Sequence, residues 1–282
     1  MIPICLEKEI KSNKVFCTPD GNLLLTRDSQ NNLRSLLRTC PHMGFDLKYG
    51  NQDTLPLVSG KLKTKVEDRL CQRCPYHGWN FEYNYAEQDN LLVYQGVVFY
   101  DNGDVNPNWV KWLSELTPTK WRKFDIKCNW KHLLCNLIDF QHFENLHQNS
   151  GGKGLGKSSI IYHQDNYMQV SWETKYTRPM SSEVWLFKDE YTVVSRVPFG
   201  DAYLTNISLV VPQQNNQTTL LTNFFFDSDF YNTSPVMRWW ANRIVDLLAL
   251  EDKWVLERLR INNNKPQLLG ETNPLILEIY SD

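Results

Sequence analysis

The chain has 282 residues with a formal net charge of −2, and ten of them are Trp. Acidic and basic residues are mixed, no apolar run approaches the roughly 18 residues of a membrane span, and the N-terminus lacks the apolar segment of an export signal. We expect a cytoplasmic globular protein without a nucleic-acid or membrane footprint, whose odd number of cysteines favours metal binding or burial over disulfides.

Residues 1–115 are predicted to form a compact β domain. Short segments of β-forming residues alternate with turn sequences such as Asp20-Gly21, and no long amphipathic helix is evident. The predicted strands are Lys14–Thr18, Leu23–Thr26, Leu33–Leu37, Trp79–Tyr83, Leu91–Tyr94 and Val97–Tyr100.

Two loops of this domain each combine one cysteine with one histidine. They are Cys40-Pro-His42 and Cys74-Pro-Tyr-His77-Gly-Trp79. Zinc accepts two cysteines and two histidines, but such sites usually pair Cys with Cys and His with His. One Cys and one His from each loop suits a [2Fe–2S] cluster in which the cysteines hold one iron and the histidines hold the other.

This double pattern resembles the Rieske family, which implies a [2Fe–2S] cluster on Cys40, His42, Cys74 and His77. Residues 43–73 separate the loops by more than the family usually shows, so a surface insertion is expected within residues 50–68. Cys71 has no counterpart in the family pattern and is interpreted as a bystander. The other four cysteines are expected to be buried as small apolar residues: Cys5, Cys17, Cys128 and Cys135.

Residues 116–282 form the second predicted domain, which starts with a linker near residues 117–121 and a helix from about Lys131. On this helix, Asp139 and His142 are three residues apart and share a face. His142 and His147 are five residues apart, or roughly 140° around a regular helix. They can meet at one metal ion only if the helix bends, bulges or ends, which is predicted around residues 144–146.

Two histidines need a carboxylate to complete a 2-His-1-carboxylate metal site. The candidates are Asp139, Glu144, Asp246, Glu251 and Asp252. A long helix is predicted over residues 235–262, with Asp252 in the middle of its apolar stripe, Glu251 at the edge and Asp246 pointing away. A carboxylate in that position is costly unless it meets a cation. Asp252 is therefore the predicted third ligand, and a buried salt bridge is the alternative.

This region resembles the mononuclear iron motif of the Rieske oxygenases. The matching residues are Asn129-Trp-Lys131, Asn136, Asp139, His142 and His147, followed late in the chain by Glu251-Asp252-Lys253. Cys135 stands where the family usually has Glu. The resemblance implies iron(II) on His142, His147 and Asp252, with Asn136 and Asp139 among the catalytic residues.

Asp139 has a particular role in that resemblance. In the family, the matching carboxylate bridges a cluster-bound histidine, here His77, and an iron-bound histidine, here His142, across a subunit boundary. A carboxylate that accepts both ring N–H groups fixes their tautomers and couples the two centres. This arrangement implies a ring-like homo-oligomer, typically a trimer.

Between the two helices the sequence favours an antiparallel sheet. Together with the long C-terminal helix, this sheet resembles the helix-grip fold of the family, with an apolar pocket over the iron. The predicted fold class is α+β: an all-β Rieske [2Fe–2S] domain followed by a helix-grip catalytic domain. The predicted strands are Tyr167–Tyr176, Ser182–Phe187, Tyr191–Val197, Leu204–Val211 and Thr218–Phe226.

Residues 151–158, Gly-Gly-Lys-Gly-Leu-Gly-Lys-Ser, satisfy the pattern of a nucleotide-binding P-loop. A P-loop follows a buried strand and opens a helix, whereas this segment follows the histidine-bearing helix and precedes strand-like residues. A flexible loop or lid beside the iron is the preferred interpretation. His132 and His163 match no motif and are interpreted as packing or surface histidines.

The resemblance implies the terminal component of a Rieske non-haem iron oxygenase. Such a protein takes electrons from a separate reductase or ferredoxin and uses dioxygen to hydroxylate, demethylate or desaturate an apolar small molecule. Two alternatives remain: a non-catalytic Rieske electron-transfer protein with a ligand-binding helix-grip module, and a zinc-stabilised binding protein.

Overall fold

The computed structural model divides the chain into two compact units, Met1–Asp104 and Val105–Asp282. The division lies before the first α-helix, whereas the boundary predicted from the sequence followed residue 115. Among the described residues, no helix is long and apolar enough to cross a membrane. The described residues are 1–11, 16–19, 21–28, 30–40, 43, 46–47, 71–73, 80–82, 84–85, 90–101, 107–116, 121–147, 155–163, 167–174, 180–259, 266, 271 and 273–281.

The first unit is built from short antiparallel strands. The described strands are β1 (Ile2–Leu6), β2 (Phe16–Cys17), β3 (Leu23–Arg27), β4 (Leu33–Leu37), β5 (Cys71–Arg73), β6 (Asn80–Glu82), β7 (Asn84–Tyr85), β8 (Leu91–Tyr94) and β9 (Val97–Tyr100). They form sheets in the orders β1-β9-β8, β2-β3-β4-β7 and β5-β6. Leu25, Leu91 and Val98 are buried in the core of this unit.

The second unit combines helices with a large antiparallel sheet. The described elements are α1 (Pro107–Glu115), β10 (Arg122–Ile126), α2 (Trp130–Ile138), α3 (Phe143–Leu146), β11 (Leu155–His163), β12 (Tyr167–Thr174), β13 (Met180–Phe187), β14 (Thr192–Phe199), β15 (Ala202–Gln213), β16 (Gln217–Phe226), α4 (Asp229–Thr233), α5 (Pro235–Leu256) and α6 (Pro274–Ile279). The strand order in the sheet is β10-β16-β15-β14-β13-β12-β11.

Helices α2 and α5 pack on the sheet. Leu133 and Leu134 of α2 and Ala249 and Leu256 of α5 share one hydrophobic cluster with residues of β12 to β16. The N-terminal half of α5 packs through Ala241 and Val245 against Leu204 of β15 and two phenylalanines of β16. The predicted α+β class, with a long C-terminal helix on an antiparallel sheet, is confirmed.

Several details differ from the sequence-based expectation. Helix α1 lies within residues 1–115, the range predicted for the β domain, but it belongs to the second unit, where Trp109 and Leu113 are buried. The long C-terminal helix ends at Leu256 and not at Asn262. After Leu256 the backbone forms tighter turns, in which the N–H of Arg258 bonds to the carbonyl of Val255, three residues earlier. In the P-loop-like segment, Gly156, Lys157 and Ser158 belong to strand β11, so the described part of that pattern opens no helix.

Candidate metal centre and its cavity

A break in the helical chain positions the two motif histidines. Helix α2 ends at Ile138, and Asp139 adopts an extended conformation with φ −85° and ψ 94°. Its carboxylate accepts the backbone N–H of Gln141 at 2.9 Å, which starts a short 3₁₀ turn over Phe140–His142. The irregularity predicted at residues 144–146 is therefore wrong in position: it lies at Asp139–His142, because Asp139 caps a new turn.

His142 and His147 flank a single short helix. His142 closes the 3₁₀ turn immediately before α3, and His147 follows the last residue of α3. Because the helix between them is one turn long, both rings reach the same point although they are five residues apart. The ring Nε2 atoms of His142 and His147 are 3.1 Å apart.

Asp252, on the buried face of α5, completes a group of three possible metal ligands. Its Oδ1 lies 3.0 Å from His147 Nε2 and 3.5 Å from His142 Nε2. His147 is 1% exposed and Asp252 is 9% exposed. The side chains predicted from the sequence as ligands thus lie together, at the place where α5 passes the end of α3.

The distances within this group match neighbouring ligands of one metal ion. Bonds of about 2.1 Å place adjacent ligands about 3.0 Å apart in an octahedron and about 3.4 Å apart in a tetrahedron, while opposite octahedral ligands would be about 4.2 Å apart. The three atoms observed here are 3.0–3.5 Å from each other. They would therefore occupy one face of a coordination sphere and leave its other side open.

The group also has the electrostatics of a cation site. Two imidazole nitrogens and a carboxylate oxygen converge in a largely buried space, where their lone pairs repel unless a proton or a metal ion lies between them. Burial lowers the pKa of His142, but the Asp139 and Asp252 carboxylates outweigh it and raise this pKa to about 9. Burial raises the pKa of Asp252, and its contacts with both histidines outweigh that effect and lower it.

Two further side chains orient the ligands from outside. Glu251 Oε2 lies 2.9 Å from His147 Nδ1, so this nitrogen carries the proton and Nε2 keeps its lone pair for a metal. Asn136 donates its Nδ2 N–H to Asp252 Oδ1 at 3.3 Å, and its Oδ1 is a buried atom with no partner in the described part of the chain. From the sequence, Glu251 was a carboxylate candidate at the edge of the apolar stripe and part of the Glu251-Asp252-Lys253 match, but neither signal predicted its contact with His147.

The other carboxylate candidates lie in different environments. Asp139 Oδ2 is 3.8 Å from His142 Nδ1, which is an ionic contact longer than a full hydrogen bond, and its side chain is 35% exposed. Asp246 forms an ion pair with Arg122 of β10. The side chain of Glu144 lies outside the described residues.

A cavity of about 130 Å³ adjoins the three ligands. Its described wall comes from α2, the 3₁₀ turn, α3, α5 and strands β14 to β16. Most of the surface that lines the cavity is apolar, with Phe140 and Phe143 on the histidine side and Val245 and Leu248 on α5. Such a space beside an open coordination position can hold a small molecule next to a bound metal.

Of the four predicted cluster ligands, only Cys40 falls within the described residues. It is 1% exposed and packs in a cluster with Leu24, Leu36 and Leu47. His42, Cys74 and His77 lie outside the described residues, as does the predicted insertion at residues 50–68. Cys71 belongs to β5.

The remaining cysteines and histidines fall in different environments. Cys5 and Cys128 are buried, whereas Cys17 and Cys135 are partly exposed. His132 is buried and its Nδ1 contacts the Tyr280 hydroxyl, in keeping with a packing role. His163 ends strand β11, and its side chain is outside the described residues.

Residues 1–91 match the family model of the Rieske [2Fe-2S] domain. This range includes both Cys–His loops, so the sequence pattern and the family model point to the same segment. No curated protein matches the chain.

Solved structures with a similar fold span nearly the whole chain. NdmA of Pseudomonas putida CBB5 in complex with theobromine (QL mutant) has a TM-score of 0.61 and 13% identity, covering 99% of this chain and 87% of that one. Dicamba monooxygenase bound to 3,6-dichlorosalicylic acid has a TM-score of 0.59 and 15% identity, covering 99% and 96%. The terminal oxygenase of carbazole 1,9a-dioxygenase from Novosphingobium sp. KA1 has a TM-score of 0.53 and 16% identity, covering 90% and 82%.

Proposed function

We propose that this chain, which carries a Rieske [2Fe–2S] domain and has the fold of Rieske oxygenase terminal components, is itself such an oxygenase. The observation that carries the proposal is the convergence of His142, His147 and Asp252 beside a cavity. Two imidazoles and one carboxylate on a single face are the ligands of non-haem Fe(II) oxygenases. A non-catalytic electron carrier would have no need to keep this set intact.

The proposed cofactors are a [2Fe–2S] cluster and one Fe(II). Cys40, His42, Cys74 and His77 would hold the cluster, and His142, His147 and Asp252 would hold the iron. When bound, the cluster supplies single electrons and the iron activates dioxygen next to the substrate.

The other side chains of the site hold this arrangement in place. Glu251 keeps the proton of His147 on Nδ1, and Asn136 holds the Oδ1 of Asp252. The apolar wall, including Phe140 and Val245, positions an organic substrate and excludes water from the reacting atoms. The reaction is the insertion of oxygen into, or the demethylation or desaturation of, a small and largely apolar molecule.

Electrons would come from a separate protein, because the sequence has no flavin or nicotinamide fingerprint. One of the structures similar to this chain is an oxygenase–ferredoxin complex of carbazole 1,9a-dioxygenase, with a TM-score of 0.55 and 18% identity. A ferredoxin or reductase is the proposed donor here. Asp139, partly exposed beside His142, is the proposed link to a cluster-bound histidine of a neighbouring copy in a trimer.

Dioxygen uptake tests this function directly. Holoprotein supplied with a ferredoxin and its reductase is screened against small ring compounds for substrate-dependent dioxygen consumption and oxidised product. The Asp252→Ala variant serves as the control, since it removes one iron ligand and leaves the cluster loops untouched. Product from the wild type and none from the variant supports the proposal. Electron transfer without product in both, across the whole screen, favours the electron-carrier alternative.

A further inference from the structure

The sheet side of the cavity carries a continuous band of small polar side chains. Alternate residues of a strand face the same side, and Ser195, Asn206, Ser208 and Thr222 all line the cavity. In the sheet register Ser195 is opposite Asn206, and Ser208 is opposite Thr222. These four residues, termed the polar band, therefore run across β14, β15 and β16 within an otherwise apolar wall.

Hydrogen bonds give the polar band a direction. The Thr222 hydroxyl donates to Asn206 Oδ1 at 2.6 Å, and Asn206 Nδ2 donates to Ser208 Oγ at 2.9 Å. Asn206 is thereby held with its carbonyl toward Thr222 and its amide N–H toward Ser208. Ser208 Oγ receives a hydrogen bond, so its own O–H proton is the donor at the end of the chain.

The hydroxyl of Ser208 has no acceptor among the described residues, although this serine is 2% exposed. Burying a hydroxyl donor beside apolar side chains costs free energy unless the O–H group donates to a hydrogen-bond acceptor. The cavity provides the space for such a partner. The described lining contains no Lys or Arg, and outside the proposed metal ligands its one ionisable side chain is the carboxylate of Asp139, which disfavours an anionic group.

The size of the cavity limits the ligand. Its volume is about 130 Å³, while an apolar protein cavity of about 150 Å³ holds one benzene molecule. We propose that the ligand is an uncharged molecule about the size of one six-membered ring, with an apolar body and a hydrogen-bond acceptor that binds the Ser208 hydroxyl. This inference rests on the proposed function and narrows its substrate class.

A pair of probes with the same shape tests the inference. Cyclohexanone and methylenecyclohexane differ only in a carbonyl oxygen that replaces a CH₂ group, so the ratio of their dissociation constants reports the acceptor. Ligand-observed NMR titrations of the holoprotein give this ratio for the wild type and for Ser208→Ala. We expect the preference for the ketone to fall about tenfold in the variant, as the loss of one hydrogen bond implies.

Three further variants make the result specific to the polar band. Ser208→Thr keeps the hydroxyl and should retain most of the ketone preference. Thr222→Val removes the donor that orients Asn206 and should weaken the preference, which provides a second test if Ser208→Ala fails to fold. Ser182→Ala is the matched control, because Ser182 is a buried serine of the same sheet that is not part of the described cavity lining.

The outcomes separate this inference from the proposed function. An unchanged probe ratio in both Ser208→Ala and Thr222→Val overturns the inference even if the protein proves to be an oxygenase. Tighter binding of cyclohexanecarboxylate than of cyclohexanone to metal-free His142→Ala protein, which lacks the cationic ring of His142, overturns the claim that the ligand is uncharged. If the isolated protein proves to contain no mononuclear iron but its ketone-to-alkene binding ratio still depends on Ser208, the inference is supported and the oxygenase function is excluded.

Discussion

The carboxylate of Glu251 holds the imidazole ring of His147 in place. The 2.9 Å contact between Glu251 Oε2 and His147 Nδ1 fixes both the tautomer and the orientation of a metal ligand. An edge position on a helix is usually solvated, so only the fold, which brings residues 147 and 251 together, shows the contact. Asp252 was predictable because an unpaired carboxylate in an apolar stripe needs a cation.

Replacing Glu251 with Gln should weaken metal binding. The neutral amide cannot stabilise the N–H of His147 as a carboxylate does, so we expect the dissociation constant for Co(II), used as an iron substitute, to rise by about tenfold. Metal titration followed by absorption spectroscopy measures this. Asp246→Asn, on the same helix but paired with Arg122, should change the constant by less than about twofold. Equal effects in the two variants would assign Glu251 a general structural role.

The raised pKa of His142 predicts how metal binding depends on pH. The pKa of His142 in the folded metal-free protein is about 9, above the ordinary 6.5, so protonation of this ring stabilises the folded metal-free protein. The stabilising contribution is fully present below pH 6.5. That contribution is lost as the pH rises through about 9. A metal must displace this proton, so apparent Co(II) affinity should increase about 25-fold between about pH 7 and about pH 8.5. Isothermal titration in buffers of different ionisation enthalpy checks this through the protons released, and a flat profile would contradict it.

Among the elements, strands were easier to predict than the break after α2, which positions His142 and His147. Leu33–Leu37, Leu91–Tyr94 and Val97–Tyr100 match their predicted bounds, because turn residues and β-forming residues agree there. The end of α2 was misplaced because Asp139 reads as a helical residue beside His142, whereas its carboxylate caps the following turn. The polar band was invisible in the sequence, since only the strand register brings its members together.

Helix α5, which carries Asp252, is capped at its N-terminus by a serine side chain, whereas the N-cap serine of α4 makes no capping hydrogen bond. The Ser234 hydroxyl accepts the N–H of Met237, whereas Ser228, at the start of α4, makes no such bond. Ser234→Ala should therefore cost about 1 kcal/mol in the first turn of α5 and speed its amide exchange about fivefold. Ser228→Ala should leave exchange in its helix nearly unchanged. Hydrogen exchange followed by mass spectrometry measures both, and equal changes would contradict the capping argument.

For the whole molecule, the sequence motifs carried more information than local patterns did. Two Cys–His loops and one iron-type motif, in this order, predicted both the domain organisation and the fold. No sequence motif indicates where residues 50–68 lie or what the substrate is. Insertions and pocket residues do not occur at a fixed spacing in the sequence.

The proposed assembly makes Asp139 the connection between two redox centres in different copies of the chain. Asp139→Asn keeps the size of the side chain but removes its charge, so metal and sulfide contents should stay at wild-type levels. Electron transfer from the reduced cluster in a single turnover should slow by at least about tenfold, because the amide no longer couples the two histidines as the carboxylate does. Stopped-flow absorption of the cluster follows this step. Wild-type kinetics in the variant would remove Asp139 from the role.

Metal analysis of the isolated protein shows whether both proposed metal centres, the [2Fe–2S] cluster and the mononuclear iron, are present. Iron, zinc and acid-labile sulfide are quantified per chain, with an absorption spectrum, for the wild type and for His147→Ala. We expect about three irons and about two sulfides in the wild type, and the loss of about one iron with unchanged sulfide in the variant. A colourless protein that contains zinc and no sulfide would contradict it.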